Sequence, residues 1–453
     1  MHSGKACSAP VEPRVHALAA KAKHQRLVIY AGAGLSVADP TRLPNSGELA
    51  HDLDAWMQAR LASSLPSYDS TNLLKIADAI ESTPGGRDLL QETLPKLADF
   101  LGAHPNFGHQ VLAALLLEGA ADVLTTNWDD CIERAVLSGE RLQTVVHNTD
   151  YGVVLGPAVM KVHGCASRRD SLLVSKNDLC TNEPLWVGTS LAPHLAVNTI
   201  VFVGIGDVAE YVKVRIRALL HAAGTAPDIR VVSPDIVSGW ADSQWATITE
   251  ANLTEDKRIP ASADAFLDDL LSAYVVDTLA ELRQTISELS LTVPKSIDAL
   301  PVVDAIGDLT ALQATYWLRA ARVKLEPGAA ADNEPLRDAI IAAGMQVHGA
   351  PVLRPNGWLQ VSDEVWLLAA ADGSLVGPRL IDVVNRRLEQ AQALAEIGSR
   401  DKVVVVYSGV RGPLAPRSPI VDIVEVPEPS DVISASPVRP RFVRATDVLE
   451  GAA

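Results

Sequence analysis

The sequence feature that most constrains the fold is an apolar run that ends in closely spaced glycines. Residues 27–36 read LVIYAGAGLS, so that Gly32, Ala33, Gly34 and Ser36 follow a strand-like segment. A buried strand that breaks into small residues lets the backbone approach a phosphate group closely, and a following helix would direct its free N–H groups at that group. Tight strand-to-helix turns share this pattern. The segment alone therefore predicts either a phosphate-binding loop or a structural turn.

Chain length and charge limit the possible architectures and partners. A chain of 453 residues is too long for one core, so we expect two to three domains. The formal net charge is −16, which disfavours non-specific binding to nucleic acid or to an anionic membrane. No run of about 18 apolar residues predicts a membrane span, and the N-terminus lacks the apolar centre of a signal peptide.

The cysteines give information about the compartment and about metal binding. The four cysteines lie far apart and form no Cys-x-x-Cys pair; they are Cys7, Cys131, Cys165 and Cys180. This spacing argues against a zinc ribbon and against a disulfide framework, so we expect no metal site. It fits a reducing compartment, and we predict a cytoplasmic protein.

Alternating strands and helices predict the fold class of the first part of the chain. The predicted strands are 27–30, 122–126, 160–162, 198–204 and 229–233. Helical spacing between 48 and 100 predicts a helical insertion between the first two strands. This order is typical of an α/β protein with a Rossmann-like, doubly wound parallel sheet. Ligands of such sheets lie at the carboxyl ends of the strands, where we expect the glycine loop, Asn127, His163 and Asp207.

The remaining residues predict a smaller second domain. Two prolines lie in the segment 293–307, which we take as the domain boundary. Beyond it, strand patterns at 365–370 and 402–407 flank a helical pattern at 380–397, which predicts a C-terminal α/β domain. We therefore predict domains at 12–292 and 308–453. The prolines of the last 30 residues or so predict an extended tail.

Polar residues that follow the predicted strands are the candidates for chemistry. Asn127 can hydrogen-bond a ribose hydroxyl or a water through both its donor and its acceptor. Asp129 could orient Asn127, and His163 titrates in the range of a general base, with Gly164 leaving room for a ligand. Each residue also has a structural interpretation. Asn127 could cap the next helix and the His-Gly pair could form a turn, and both interpretations stay open here.

Six motifs, in order, give a more specific prediction. They are GAGLS at 32–36, PNFGHQVLAALL at 105–116, TTNWD at 125–129, KVHG at 161–164, FVGIGD at 202–207 and VVSPD at 231–235. Together they resemble the sirtuin-like family of NAD-consuming proteins over about residues 12–240.

This resemblance implies roles for individual residues. NAD would be the ligand, as substrate, with Asn127 and His163 as catalytic residues. The implied binding residues are Gly32, Ala33, Gly34 and Ser36 at the diphosphate, Thr126 and Asp129 beside Asn127, and Gly204, Gly206 and Asp207 at the adenosine side. His109, in the second motif, is interpreted as a structural helix residue.

Two departures from the family pattern narrow the predicted activity. Protein-deacylating sirtuins carry four zinc cysteines after His-Gly, whereas only Cys165 and Cys180 are available here. Their Gly-Ile-Pro-Asp-Phe-Arg stretch is also replaced, since residues 42–47 read RLPNSG. These features resemble the bacterial sirtuin-like branch of anti-phage defence effectors, which hydrolyse NAD.

The resulting prediction is an NAD hydrolase that releases nicotinamide and ADP-ribose and depletes NAD during infection. Its C-terminal domain or its assembly would hold it inactive until a trigger arrives. The alternative is a non-catalytic scaffold or regulatory subunit that binds NAD or ADP-ribose, and a protein deacylase or ADP-ribosyltransferase is a third hypothesis. The resemblance also implies a homo-oligomer, and the C-terminal domain could bind a partner protein of a defence system.

Overall fold

The structure, a computed structural model, divides into two compact units. It describes residues 11–24, 26–61, 68–137, 141–154, 156–181, 184–189, 198–205, 228–234, 255–292, 299–321, 333–347, 350–354, 357–371, 377–410, 438 and 440–451. The division falls between Leu271 and Ser272, within one long helix, Ala263–Thr292. The limits predicted from the sequence, 12–292 and 308–453, stay a prediction.

The first unit is built on a parallel sheet. Within its described residues the sheet has seven strands in the order β3-β4-β2-β1-β5-β6-β7, and every pair of neighbours is parallel. The strands are β1 Leu27–Ala31, β2 Asp122–Thr125, β3 Gln143–Val145, β4 Ala158–Lys161, β5 Thr199–Val203, β6 Asp228–Val232 and β7 Arg258–Ile259. Strand order reverses at β1, with β2 on one side and β5 on the other. This is a doubly wound, Rossmann-like sheet, so the predicted fold class is confirmed.

Burial explains why the central strands form where they do. All five residues of β1 and all five of β5 are buried, as expected for strands covered on both faces. Two strands of the sheet, β3 and β7, were not among the predicted strands. They are three and two residues long, too short to show a sequence period.

Helices surround this sheet and form the predicted insertion. The described helices of the unit are α1 Pro13–Lys23, α2 Ser46–Leu61, α3 Leu73–Glu81, α4 Gly86–Leu97, α5 Phe107–Leu117, α6 Cys131–Arg134, α7 Asn148–Val153, α8 Lys176–Thr181 and α9 Leu185–Thr189. The first part of the long helix α10 Ala263–Thr292, up to Leu271, also belongs to this unit. The insertion consists of α2, α3 and α4, which share an apolar cluster that includes Leu53, Met57, Ile76 and Leu90. No helix in the described part of the chain is both long and apolar enough to cross a membrane.

The second unit carries the predicted smaller α/β structure. Its described strands form a five-stranded sheet in the order β12-β11-β10-β9-β8. They are β8 Val352–Leu353, β9 Trp358–Ser362, β10 Val365–Ala371, β11 Lys402–Ser408 and β12 Arg441–Arg444. The helices are α11 Leu300–Gly307, α12 Ala311–Ala321, α13 Asn333–Gly344, α14 Gly377–Ala393 and α15 Ala445–Gly451.

The described chain end carries a strand and a helix. Residues 441–444 pair in parallel with β11, and a helix follows them. This strand has only four residues, and its main-chain hydrogen bonds to β11 are made with residues nearly 40 positions earlier. Local sequence gave no signal of such a pairing. The predicted extended tail rests on prolines at 427, 429, 437 and 440, of which the first three lie outside the described residues, so it stays a prediction.

Candidate active site

Four strands of the first sheet bring the predicted site residues to one edge. Ala31 pairs with Thr125 on one side and with Val203 on the other, and Thr125 in turn pairs with Lys161. The chain leaves all four strands at this level. The glycine loop, the Asn127 segment, the His163 segment and Gly204 therefore start side by side at the carboxyl edge.

Glycine is required here because two backbone segments touch. A Cβ on Gly34 would lie 2.7 Å from the carbonyl oxygen of Gly204, and a Cβ on Gly32 would lie 2.9 Å from the same oxygen. Gly204 itself has a φ of +66°, and its own Cβ would lie 2.6 Å from the nitrogen of Leu35. The loops after β1 and β5 are thus in direct main-chain contact at the point where the strand order reverses.

The backbone N–H groups of the glycine loop are mostly used within the protein. Those of Gly32 and Gly34 donate to the carbonyl oxygens of Val203 (2.9 Å) and Gly204 (2.7 Å). Those of Leu35 and Ser36 donate to the carbonyl oxygens of Gly32 (3.0 Å) and Ala33 (2.9 Å) in a short 3₁₀ turn. Four of the five N–H groups in the described segment 32–36 are therefore occupied. The glycines of residues 32–36 therefore allow the main chain to approach Gly204 closely, and they do not provide a row of free N–H donors.

Ser36 is the centre of a buried hydrogen-bond network. Its hydroxyl donates to Oδ2 of Asp129 at 2.9 Å and accepts from Nδ2 of Asn127 at 3.0 Å. The third partner is Nε2 of His109, at 3.2 Å. Since a hydroxyl has one proton and two lone pairs, these three bonds use its full capacity.

His109, interpreted from the sequence as a structural helix residue, also belongs to this network. Its Nδ1 accepts the backbone N–H of Asn106 at 3.2 Å in a capping box at the start of α5, so in the neutral ring Nε2 carries the proton and donates to Ser36. Burial lowers the pKa of His109 to about 4, against the opposing effect of Asp129. The ring is therefore neutral at pH 7. The second motif contained one clue to this arrangement, the helix-capping residue Asn106. In the structure Asn106 also donates to the carbonyl oxygen of Leu35 at 2.6 Å.

Asn127 is buried, and only one of its two polar side-chain atoms has a hydrogen-bond partner among the described residues. It is 6% exposed, and its Nδ2 is committed to Ser36. Its Oδ1 is buried and has no hydrogen-bond partner among the described residues. A buried amide oxygen without a donor costs about 1–3 kcal/mol, so this atom favours a ligand or water that brings an O–H or N–H group.

Asp129 and Lys161 fix the segment that carries Asn127. The Asp129 carboxylate accepts from Ser36 and, through Oδ1, from the N–H of Cys131 at 3.1 Å. The ammonium of Lys161, 1% exposed, donates to the carbonyl oxygen of Asp129 and lies 3.3 Å from Oε1 of Glu133. Burial acts to lower the pKa of Lys161, but the interactions with Glu133, Cys165 and Asp129 together outweigh it, and the pKa is raised above its ordinary value. Lys161 is charged, and sequence periodicity gave no signal of its role.

The other predicted residues occupy different parts of the edge. The N–H of Thr126 donates to the carbonyl oxygen of Ala31 at 3.2 Å and extends the β1–β2 pairing. His163 is partly exposed, and Gly164 after it has a φ of +83°, where a Cβ would lie 2.1 Å from the carbonyl oxygen of Ser171. Gly206 and Asp207 lie outside the described residues.

One group of described side chains has the composition of a metal site. His109, Asp129 and Cys131 place one ligand atom each within 4.8 Å of one another. The donor chemistry does not fit a metal. Both oxygens of Asp129 accept N–H or O–H bonds, and both ring nitrogens of His109 are engaged. Burial also raises the pKa of the Cys131 thiol, which keeps it protonated.

A cleft lies beside the loop that follows Ser36. Its volume is about 990 Å³, and its lining includes Thr41, Arg42, Leu43 and Glu48. The N–H of Leu43 donates to the carbonyl oxygen of Ser36 at 2.9 Å, which closes the intervening residues into a loop. The cleft thus begins next to the buried network.

Fold and site together define the class of protein: a doubly wound α/β domain with a polar site at its strand reversal, where such folds bind ligands. Residues 121–259 match the family model described as a SIR2-like domain. This part of the chain is therefore similar to SIR2-like domains.

Comparisons with other proteins give the following results. A solved Sir2 homologue in complex with NAD is 18% identical, with a TM-score of 0.34 over 56% of this chain and 91% of its own. A mutant Sir2 homologue in complex with ADP-ribose is also 18% identical, with a TM-score of 0.32 over 56% and 93% of the two chains. Comparison with curated proteins gives no significant match.

Proposed function

We propose that the protein is an NAD glycohydrolase, which hydrolyses the bond between nicotinamide and ribose and releases nicotinamide and ADP-ribose. The observation that carries the proposal is the buried Oδ1 of Asn127, which has no donor among the described residues. A ribose hydroxyl or the attacking water supplies that donor. The SIR2-like domain and the NAD and ADP-ribose complexes of the Sir2 homologues support the choice of substrate.

The proposed mechanism is attack of water on the anomeric carbon of the ribose. The C–N bond to nicotinamide breaks, its electron pair neutralises the positively charged ring, and neutral nicotinamide leaves. A new C–O bond forms to water, whose proton passes to His163 acting as general base. Asn127 holds the ribose or the water in place while positive charge develops on the sugar.

The hydrogen bonds at Ser36 support this role for Asn127. With Ser36 accepting from both Asn127 and His109, the amide of Asn127 cannot rotate without losing a bond at 3.0 Å. Its oxygen is therefore held in one orientation before substrate arrives. Such preorganisation places the acceptor without a reorganisation cost at the moment of reaction.

The space near the site fits a small ligand. The cleft of about 990 Å³ lies at the upper end of the range of about 300–1,000 Å³ for ligand sites. The segment 42–47, which contributes to the lining of this cleft, reads RLPNSG and departs from the corresponding segment of protein-deacylating sirtuins. These features favour hydrolysis of NAD itself over transfer to an acylated peptide.

The test is release of nicotinamide from NAD by the full chain. We expect Asn127→Ala and His163→Ala to lower turnover by about 100-fold or more, as for loss of a positioned catalytic group. Matched controls are Asn72→Ala and His24→Ala, since both residues are exposed and lie at helix ends. Full turnover in either site variant would refute the assigned roles.

The alternative is a scaffold or regulatory subunit that binds NAD or ADP-ribose without cleaving it. The same buried network would serve binding alone, so affinity and turnover must be measured separately. Calorimetric binding of NAD by the wild type, lost in Asn127→Ala, together with no nicotinamide release, would support this alternative.

We place the proposed activity in anti-phage defence, with control by the second unit, by assembly or by a partner protein. The departures after Ser36 and after His163 support this branch, since both resemble defence effectors. Induced expression in bacteria challenged with phage should lower cellular NAD. The Asn127→Ala variant should leave the NAD level unchanged, and equal NAD loss in both strains would contradict the proposal.

A further inference from the structure

Trp128 lies in the sequence between Asn127 and Asp129, the two residues whose side chains bond to Ser36. Asn127 and Asp129 both reach the hydroxyl of Ser36, whereas the indole of Trp128 reaches the His163 segment. Its Nε1–H donates to the carbonyl oxygen of His163 at 3.1 Å. Its own carbonyl oxygen accepts the N–H of Ala166 at 2.8 Å. Two hydrogen bonds therefore join the Asn127 segment to the His163 segment, one on each side of Gly164.

The indole is itself held by the helical insertion. It packs edge to face on Phe100, with ring centroids 5.9 Å apart and an interplanar angle of 80°. It also contacts the apolar cluster of the insertion, which includes Ala166 and Leu172 from the segment after His163. The ring therefore has a fixed position, and the direction of its N–H group is set by packing.

The His163 segment needs such support. Gly164 has a φ of +83°, a conformation in which the chain turns sharply, and the ring of His163 is partly exposed. The carbonyl oxygen of His163 accepts a second bond, from the N–H of Leu173 at 3.1 Å. The indole and Leu173 together hold this peptide group from two directions.

We infer that Trp128 is a positioning residue, which sets the place of His163 relative to Asn127 through its indole N–H. The inference rests on the proposed function, because His163 is the general base there. A displacement of about 1 Å in a reacting group can cost about 100-fold in rate. The apolar ring keeps the segment packed, and the N–H group fixes the distance between the two proposed catalytic residues.

The test is Trp128→Phe in the full chain, which keeps an aromatic ring beside Phe100 and removes the N–H donor. Trp186→Phe is the matched control, since Trp186 likewise packs on an aromatic ring, that of Tyr151, and donates through Nε1 to a carbonyl oxygen, that of Val146, at 3.5 Å. We expect Trp128→Phe to lower kcat about tenfold or more. The KM for NAD should stay within about twofold of the wild type, because the Ser36 network is untouched.

A second measurement does not depend on turnover. The imidazole signal of His163, assigned with His163→Gln in protein carrying ¹³C-labelled histidine, is followed by NMR as pH varies. We expect its chemical shift and titration curve to differ from wild type in Trp128→Phe and to match wild type in Trp186→Phe.

These outcomes test the positioning role of Trp128 separately from the proposed NAD hydrolase function. If Trp128→Phe lowers the unfolding midpoint but leaves kcat and the His163 titration as in wild type, Trp128 serves packing alone and the inference is overturned. If the wild type binds NAD and releases no nicotinamide, the proposed function fails. The His163 signal in Trp128→Phe still decides the positioning role in that case, and an unchanged signal overturns it.

Discussion

The buried His109 makes a quantitative prediction about stability and pH. Its pKa is about 4 in the folded protein and about 6.5 in an unfolded chain. Between these values the unfolded chain binds more protons than the folded one, so the free energy of unfolding falls as pH falls. The full difference is about 3 kcal/mol, at about 1.4 kcal/mol for each pH unit. Most of it, about 2 kcal/mol, is lost between pH 7 and pH 4.5.

The hydrogen bonds of His109 give the structural reason. Protonation places a proton on Nδ1, which then cannot accept the N–H of Asn106 at the start of α5. The added charge is also buried, since the residue is 0% exposed. Asp129 offsets this cost only in part, because its Oδ1 lies 4.0 Å from Nε2.

The assay is urea unfolding, followed by tryptophan fluorescence at pH 7 and at pH 4.5. His109→Gln is the perturbation, because glutamine does not titrate and suits the third position of a capping box. We expect the loss of stability on acidification to be about 2 kcal/mol smaller in His109→Gln than in wild type. His51→Gln is the control, since the side chain of His51 is 84% exposed. Equal losses in wild type and His109→Gln would refute the assignment of a buried neutral ring.

Two further predictions concern stability. Lys161→Met should lower the free energy of unfolding by about 3–5 kcal/mol, because it leaves the buried carboxylate of Glu133 without its ion pair. Urea unfolding should show that Lys161→Met combined with Glu133→Gln recovers part of this loss, and a double variant no more stable than the single one would contradict the reasoning. Gly34→Ala should cost about 1–3 kcal/mol, because its Cβ would lie 2.7 Å from the carbonyl oxygen of Gly204. Gly152→Ala, whose Cβ meets no atom within 4 Å, is the control in the same thermal unfolding assay, and equal midpoints for the two variants would count against the main-chain contact.

The sequence predicts the sheet edge well because strand ends are local features. The glycines after β1, the polar residues after β2 and the His-Gly pair after β4 each follow a strand of four or five residues. Parallel strands bring their carboxyl ends to one edge, so their order along the chain was sufficient to group them. The same reasoning fails for β3 and β7, whose two or three residues carry no period.

The polar network could not be predicted in the same way. His109 lies on a helix whose residues are nearly all buried, and its pattern is that of a core helix. Its bond to Ser36 joins residues 73 positions apart, and the contact of Lys161 with Asp129 joins residues 32 apart. Such partners follow from the packing of α5 and β4 and leave no periodic trace. The asparagine at 106 was the available clue, because it caps α5 and also bonds to the glycine loop.

The main-chain contact between Gly34 and Gly204 has a consequence for how this edge of the sheet responds to a ligand. The bond at 2.7 Å joins the two loops at the strand reversal, where many α/β folds leave an open crevice. The main chain at Gly34 and Gly204 is thus held in place before anything binds, and binding against these two residues carries little cost in chain entropy. Affinity at this edge should therefore depend weakly on temperature-driven loop motion and strongly on the shape left between the side chains.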